Sequence, residues 1–256
     1  MSFEQLNAFL AGGLFGLLVI FARIGTALFL MPGISAIFVP ARVRLLLALG
    51  LTLAVTPLLS PSMPATTSEP ALLLQIIVGE MLIGAFLGTV MRLLVATLEV
   101  AGTVIGFQVG LANALAFNPQ LATQSTVIGT FLSLAGILLI FVTDLHHLMM
   151  RGVMDSYTLF PAGALPAMGD LSDVVARQFA GTFAVAVQMS APFLVSGLIL
   201  YFGIGLLARL MPQVQIFFIA LPVQIGLGLI VLMLSFSAMM LVFLESFQTG
   251  LLTLLG

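Results

Sequence analysis

Ionisable residues are so sparse in this chain that each raises a question of chemistry. Nine acids, seven arginines and no lysine are spread over 256 residues. Glu80, Arg92 and Glu99 fall within or beside one long apolar stretch. An ionisable group at membrane depth is a functional candidate by default. A proton path would need a longer relay than these three supply, so the preferred reading of Glu80 and Arg92 is an ion pair or hydrogen bond that fixes subunit register. Asp144, His146 and His147 have types and spacing suited to a metal, because positions 144 and 147 share a helical face. Only Asp155 stands near enough to add a further ligand. The group therefore reads as the polar end of a helix at the membrane–water boundary, and no metal is expected.

The third group carries no charge. Gly102, Gly106 and Gly110 recur every fourth residue, which on a helix makes one bare stripe that another backbone can approach closely. Gly84 and Gly88 form a second, shorter stripe of the same kind. After Gly110 come Asn113, Phe117, Asn118 and Pro119, polar or helix-ending residues in a region without charge between Glu99 and Asp144. Irregular backbone inside an apolar chain must be shielded by protein or line a water-filled path. Gly106, Phe107, Gln108, Gly110, Asn113, Phe117, Asn118 and Pro119 are accordingly expected to form a pore-lining or plug loop, with Phe107 and Phe117 as an apolar constriction. The structural alternative is tight helix packing followed by an ordinary connector. No Gly-x-Ser-x-Gly, His-Glu-x-x-His or glycine-rich phosphate loop occurs, so no enzyme, catalytic residue or cofactor is expected.

The elements that position these groups follow from composition. Hydrophobic residues make up 61% of the chain and charged residues 6%, with a mean hydropathy of +1.29. Soluble domains carry about 25% charge, so this is an integral membrane protein. It should be all-α, because open strands cannot satisfy their backbone in lipid and the apolar runs lack the alternation of a membrane barrel. The absence of cysteine excludes disulfides, thiolate zinc sites and iron–sulfur clusters. No basic patch points to nucleic acid. No Lys or Arg precedes Arg23, which argues against a cleaved leader, so the first segment is expected to be retained.

Six hydrophobic segments are predicted: Leu6 to Met31, Val43 to Leu59, Ala71 to Leu98, Ser125 to Val142, Phe179 to Leu207 and Ile216 to Leu244. Several are interrupted by Pro57, Pro192, Pro222 or glycine, so some read as helical hairpins rather than full spans. Arg151 to Arg177, with three aspartates and repeated Pro and Gly, reads as an external loop. Arg42, Arg44, Arg92 and Arg209 fall on alternate connectors, which by the positive-inside rule places both termini outside.

Five stretches in order carry a resemblance that covers nearly the whole chain. They are Ala22-Arg23 followed by Met31-Pro32-Gly33 and Pro40-x-Arg42-x-Arg44; GEMLIGAFLGTVMRL at 79–93; AGTVIGFQVGLANALAFNP at 101–119; LIFVTDLHH at 139–147; and ARLMPQVQIFF at 208–218 with Pro222-x-Gln224-Ile225. The chain resembles the FliR family of flagellar export-apparatus proteins and their injectisome counterparts. The resemblance implies one inner-membrane subunit of the flagellar basal body over residues 1–256. It would have a FliP-like part at 1–100, a plug region at 101–124, and further hairpins at 125–256. It also implies FliP- and FliQ-type partners in a hetero-oligomeric gate, FlhB- and FlhA-type proteins nearby, and unfolded export substrates. Arg42, Arg44, Glu80, Arg92, Pro212 and Gln213 would serve partner contacts, and Gly84, Gly88 and Gly102 helix packing. Two positions depart from the family pattern: Gln224 stands where a lysine is expected, and Asp144 where a glycine-like residue is usual. A secondary transporter using Glu80 and Arg92 is the alternative from another class.

Overall fold

A computed structural model describes residues 3–36, 38–59, 63–64, 69–110, 127–164, 168–211 and 216–255. Among these there are seven helices and no strands: α1 Phe3–Leu30, α2 Ala41–Leu59, α3 Pro70–Gln108, α4 Val127–Val142, α5 Leu145–Leu159, α6 Met168–Leu210 and α7 Ile216–Leu255. The all-α, polytopic reading holds. Five of the helices are long and apolar enough to cross a membrane, and α4 with α5 would make a sixth, broken span. At 39, 43 and 40 residues, α3, α6 and α7 are each about twice the ~20 residues that a hydrocarbon core requires.

The helix breaks lie elsewhere than the prolines predict. Pro57, Pro192 and Pro222 sit inside α2, α6 and α7, which continue past them. A proline removes one helical hydrogen bond, and apolar helices tolerate that where neighbouring groups meet the freed carbonyl. The expected external loop at 151–177 is also largely helix, with only residues 160–167 separating α5 from α6. Its polarity hid an amphipathic pattern: Met149, Gly152, Val153, Ser156 and Tyr157 are buried at helical spacing. Arg151 and Asp155 pair on the exposed side, one turn apart at 3.4 Å.

The chain forms two compact units that interleave in sequence. The first comprises residues 1–93, 144–178 and 250–256, the second residues 94–143 and 179–249. In the first, Ile83, Phe86, Leu87 and Val90 from α3 pack with Leu171 from α6, flanked by Phe160, Val174, Val175 and Leu254. Phe86 meets Phe160 edge to face with ring centroids 6.4 Å apart. The glycine stripe at 84 and 88 admits α1 to this core. A Cβ on Gly84 would strike the Arg23 carbonyl and the Thr26 hydroxyl, and one on Gly88 would lie 2.6 Å from Leu30 Cβ and 2.9 Å from the Ala27 carbonyl oxygen.

In the second unit Leu94, Leu98, Ala101, Ile105 and Val109 at the end of α3 are buried. Leu98 and Phe243 of α7 both approach Gly136 of α4, the Ser190 hydroxyl of α6 donates to the Ala101 carbonyl at 3.4 Å, and Val109 lies against Gly228 of α7. Gly102 lies close against Gly129, where an added Cβ would overlap the Gly129 Cα and nitrogen.

Candidate functional site

The first unit holds a buried ion pair built from three helices. Arg23 from α1 and Glu80 from α3 are both fully buried. The Arg23 Nε donates to Glu80 Oε2 at 2.6 Å and its Nη2 to Oε1 at 3.1 Å, a two-toothed pairing. The remaining donors are not left idle. Nη1 donates to the Ser156 hydroxyl at 3.2 Å, and Nη2 also donates to the Phe160 carbonyl at 2.9 Å. The guanidinium lies 3.9 Å from the centroid of the Tyr157 ring, a cation–π contact. Glu80 Oε1 accepts a third hydrogen bond from the Gly163 backbone N–H at 3.0 Å. Gly163 is in the left-handed region at φ 83, which only glycine adopts at little cost, and that turn brings its N–H to the carboxylate. A buried charge is tolerable when paired and hydrogen-bonded, and here both partners are. The arrangement ties α1, α3 and the 160–163 turn together.

In the second unit the end of α3 is held by a different polar group. Helix α3 stops at Gln108, and Gly110 follows at φ 80. Gln224 of α7 is buried, and its Nε2 donates to the Gln108 carbonyl at 2.7 Å and to the Tyr201 hydroxyl at 2.9 Å. A Cβ on Gly110 would lie 3.0 to 3.1 Å from the Gln224 carboxamide atoms. Gly197 and Gly228 make room on the other sides, the first for the Gln108 side chain and the second for Val109. Gly102 and Gly106 are buried on the same helix, whereas Phe107 is 63% exposed.

A family model described as bacterial export proteins, family 1, matches residues 14–250. The flagellar biosynthetic protein FliR of Caulobacter vibrioides is 36% identical over 230 residues, covering 90% of this chain and 92% of that protein. This chain is a member of that export family. FliR of Bacillus subtilis is 32% identical over 166 residues, 64% of each chain. The Yop proteins translocation protein T of Yersinia pestis is 27% identical over 185 residues, 69% of this chain and 71% of that protein.

In this export-family chain the predicted residues fall into separate places. Glu80 pairs with Arg23, 57 residues away, and not with Arg92. Arg92 and Glu99 are exposed on α3. Arg44 turns back on its own connector, with Nε and Nη2 donating to the Val39 carbonyl at 3.1 and 2.9 Å, while Arg42 is exposed. Asn113, Phe117, Asn118, Pro119, Pro212 and Gln213 lie outside the described residues. The sequence reading missed Arg23 and the Gly163 N–H as partners of Glu80, Ser156 and Tyr157 as the further contacts of Arg23, and Tyr201 as a partner of Gln224. The available signal was that a lone arginine in the first apolar segment needs a buried acid. Gln224 becomes intelligible as a donor to the α3 terminus, since an amide supplies N–H groups to a helix end as a lysine would.

Asp144, His146 and His147 do bring their donor atoms within 4.8 Å of one another. The Asp144 and His147 side chains are 77% and 74% exposed and 3.5 Å apart. Asp155, the one further ligand in view, is engaged by Arg151. Asp144 marks the break between α4 and α5 with φ 60, and its carboxylate does not cap α5. A left-handed conformation costs a non-glycine residue roughly 1–2 kcal/mol, and an exposed pair returns well under ~1 kcal/mol. Asp144→Gly should therefore leave the protein equally stable or stabilise it by about 1 kcal/mol, read as a slightly higher thermal midpoint. A clear fall in the midpoint would assign the carboxylate a role these contacts do not contain.

Proposed function

We propose that this chain is a non-enzymatic pore subunit of the flagellar type III protein export gate in the bacterial inner membrane. In this reading it assembles with FliP- and FliQ-type subunits beside FlhA- and FlhB-type proteins and passes unfolded flagellar proteins. Residues 1–100 act as its FliP-like part. Residues 107–119, the last residues of α3 and the segment that follows it, form the part that closes the path. The observation that carries this is the fixed end of α3. A glycine-bearing helix in an export-family chain terminates at Gln108 in a buried polar clamp and hands over to a segment too apolar for a water-exposed connector. Exposed Arg42, Arg92 and Phe107 are available to partner subunits on this reading.

Replacing residues 107–119 with a short Gly/Ser linker is expected to make the assembled complex leak ions at rest, by tenfold or more in conductance or dye-flux measurements. An unchanged resting conductance would remove the closure role. The flagellar setting is favoured over an injectisome by the higher identity to FliR than to translocation protein T. The transporter alternative is weakened because both Glu80 oxygens are engaged inside the chain. It would be revived by proton-coupled uptake into liposomes that is lost in Glu80→Gln.

A further inference from the structure

The last turn of α3 is secured by two of its own amides. Val109 N donates to the Ile105 carbonyl at 2.8 Å and Gly110 N to the Phe107 carbonyl at 3.2 Å. A helix leaves its final carbonyls without helical partners, and each must find another donor or water. Here one of them, the Gln108 carbonyl, takes the Gln224 carboxamide, 116 residues away in sequence and 6% exposed. Burying a carboxamide in an apolar helix is unfavourable unless its hydrogens are used. Both donor contacts of Nε2 are made, to Gln108 and to the Tyr201 hydroxyl. The same amide lies over Gly110, so the residue at which the chain turns out of the helix is covered by the group that caps the helix.

We infer that Gln224 is a latch: a positioning residue that fixes the point where the chain leaves α3, and so the root of the segment that closes the pore. The second half of this statement rests on the proposed closure role of residues 107–119; the first half does not. Without the amide, the Gln108 carbonyl loses its donor in an apolar setting, and the last turn unwinds more readily. With a cationic donor instead, the carbonyl stays capped, and the positive charge suits the negative end of the helix dipole.

The test uses the full chain purified in complex with its partner subunits. Hydrogen exchange at Val109 and Gly110 is measured alongside resting ion leak. Gln224→Leu should accelerate exchange at these two amides by at least tenfold while leaving α4 unchanged, and should raise the leak. Gln224→Lys should restore protection to within about twofold of the parent. Exchange in Gln224→Leu that stays within twofold of the parent overturns the latch, whatever the leak does. Faster exchange without any leak upholds the latch and instead removes the closure role of residues 107–119. Should the leucine variant fail to assemble, Tyr201→Phe removes only one acceptor of the amide. It should speed exchange about threefold, and no change there would likewise overturn the latch.

Discussion

Glu80→Ala is expected to destabilise the protein by about 3–5 kcal/mol, the range seen when one member of a buried ion pair is removed. The cost is not the loss of one contact. Arg23 would remain fully buried with its charge uncompensated, and the Gly163 N–H would lose its acceptor. Among the described residues, the Phe160 carbonyl, the Ser156 hydroxyl and the Tyr157 ring would be left as partners of Arg23. Arg23→Met should be damaging for the complementary reason, since it strands a buried carboxylate. The informative comparison is the double variant Arg23→Met, Glu80→Met, which removes both charges and keeps volume. Such replacements are often neutral or stabilising, so much of the lost stability should return. Thermal unfolding in mild detergent reads all three. Independent, additive losses in the double variant would mean that the two residues do not act as a pair.

Gly102→Ala should have the second largest effect, out of proportion to one methyl group. At this position the added carbon meets the Gly129 backbone, with the Ile128 carbonyl carbon 3.0 Å away. A flexible side chain can turn aside, but a backbone can yield only by moving a helix, and over-packing of this kind costs about 1–3 kcal/mol or more. Gly203→Ala supplies the control, because among the described residues nothing lies within 4 Å of that site and alanine is the better helix former by roughly 1 kcal/mol. The two substitutions are chemically identical, and only the first should lower yield and thermal midpoint. Equal behaviour would show that α3 and α4 are not in backbone contact at this glycine.

The sequence was most informative where physics is local. Continuous apolar runs located the long helices, and the glycines at 84, 88 and 102 lie close to α1 or to Gly129. It misled where two local signals conflict. Arg151 to Arg177 was too polar to read as helix until its buried stripe from Met149 to Tyr157 was seen in place. Pro192 and Pro222 punctuate strongly on paper and yet lie inside helices. What could not be read at all was pairing across the chain. Nothing local distinguishes Arg23 from Arg92 as the partner of Glu80, although Arg92 is far closer in sequence. Nor does anything near Gln224 announce a carbonyl at Gln108.

The distance in sequence between Arg23 and Glu80 also bears on how the chain enters its membrane. A ribosome adding about 5–20 residues per second completes α1 at Leu30 roughly 2.5–10 seconds before it reaches Glu80, and the Phe160 carbonyl comes later still. During that interval the first helix carries an unneutralised guanidinium, which on insertion scales costs about 2.5–3.5 kcal/mol at a helix centre. Arg23 lies seven residues before the end of α1 at Leu30, close enough for its long stem to reach toward the interface. The helix can thus wait near the headgroups and draw the charge inward only when α3 arrives. Burial of this arginine is therefore a late event in biogenesis, and it marks the moment at which the first and third helices become one structure.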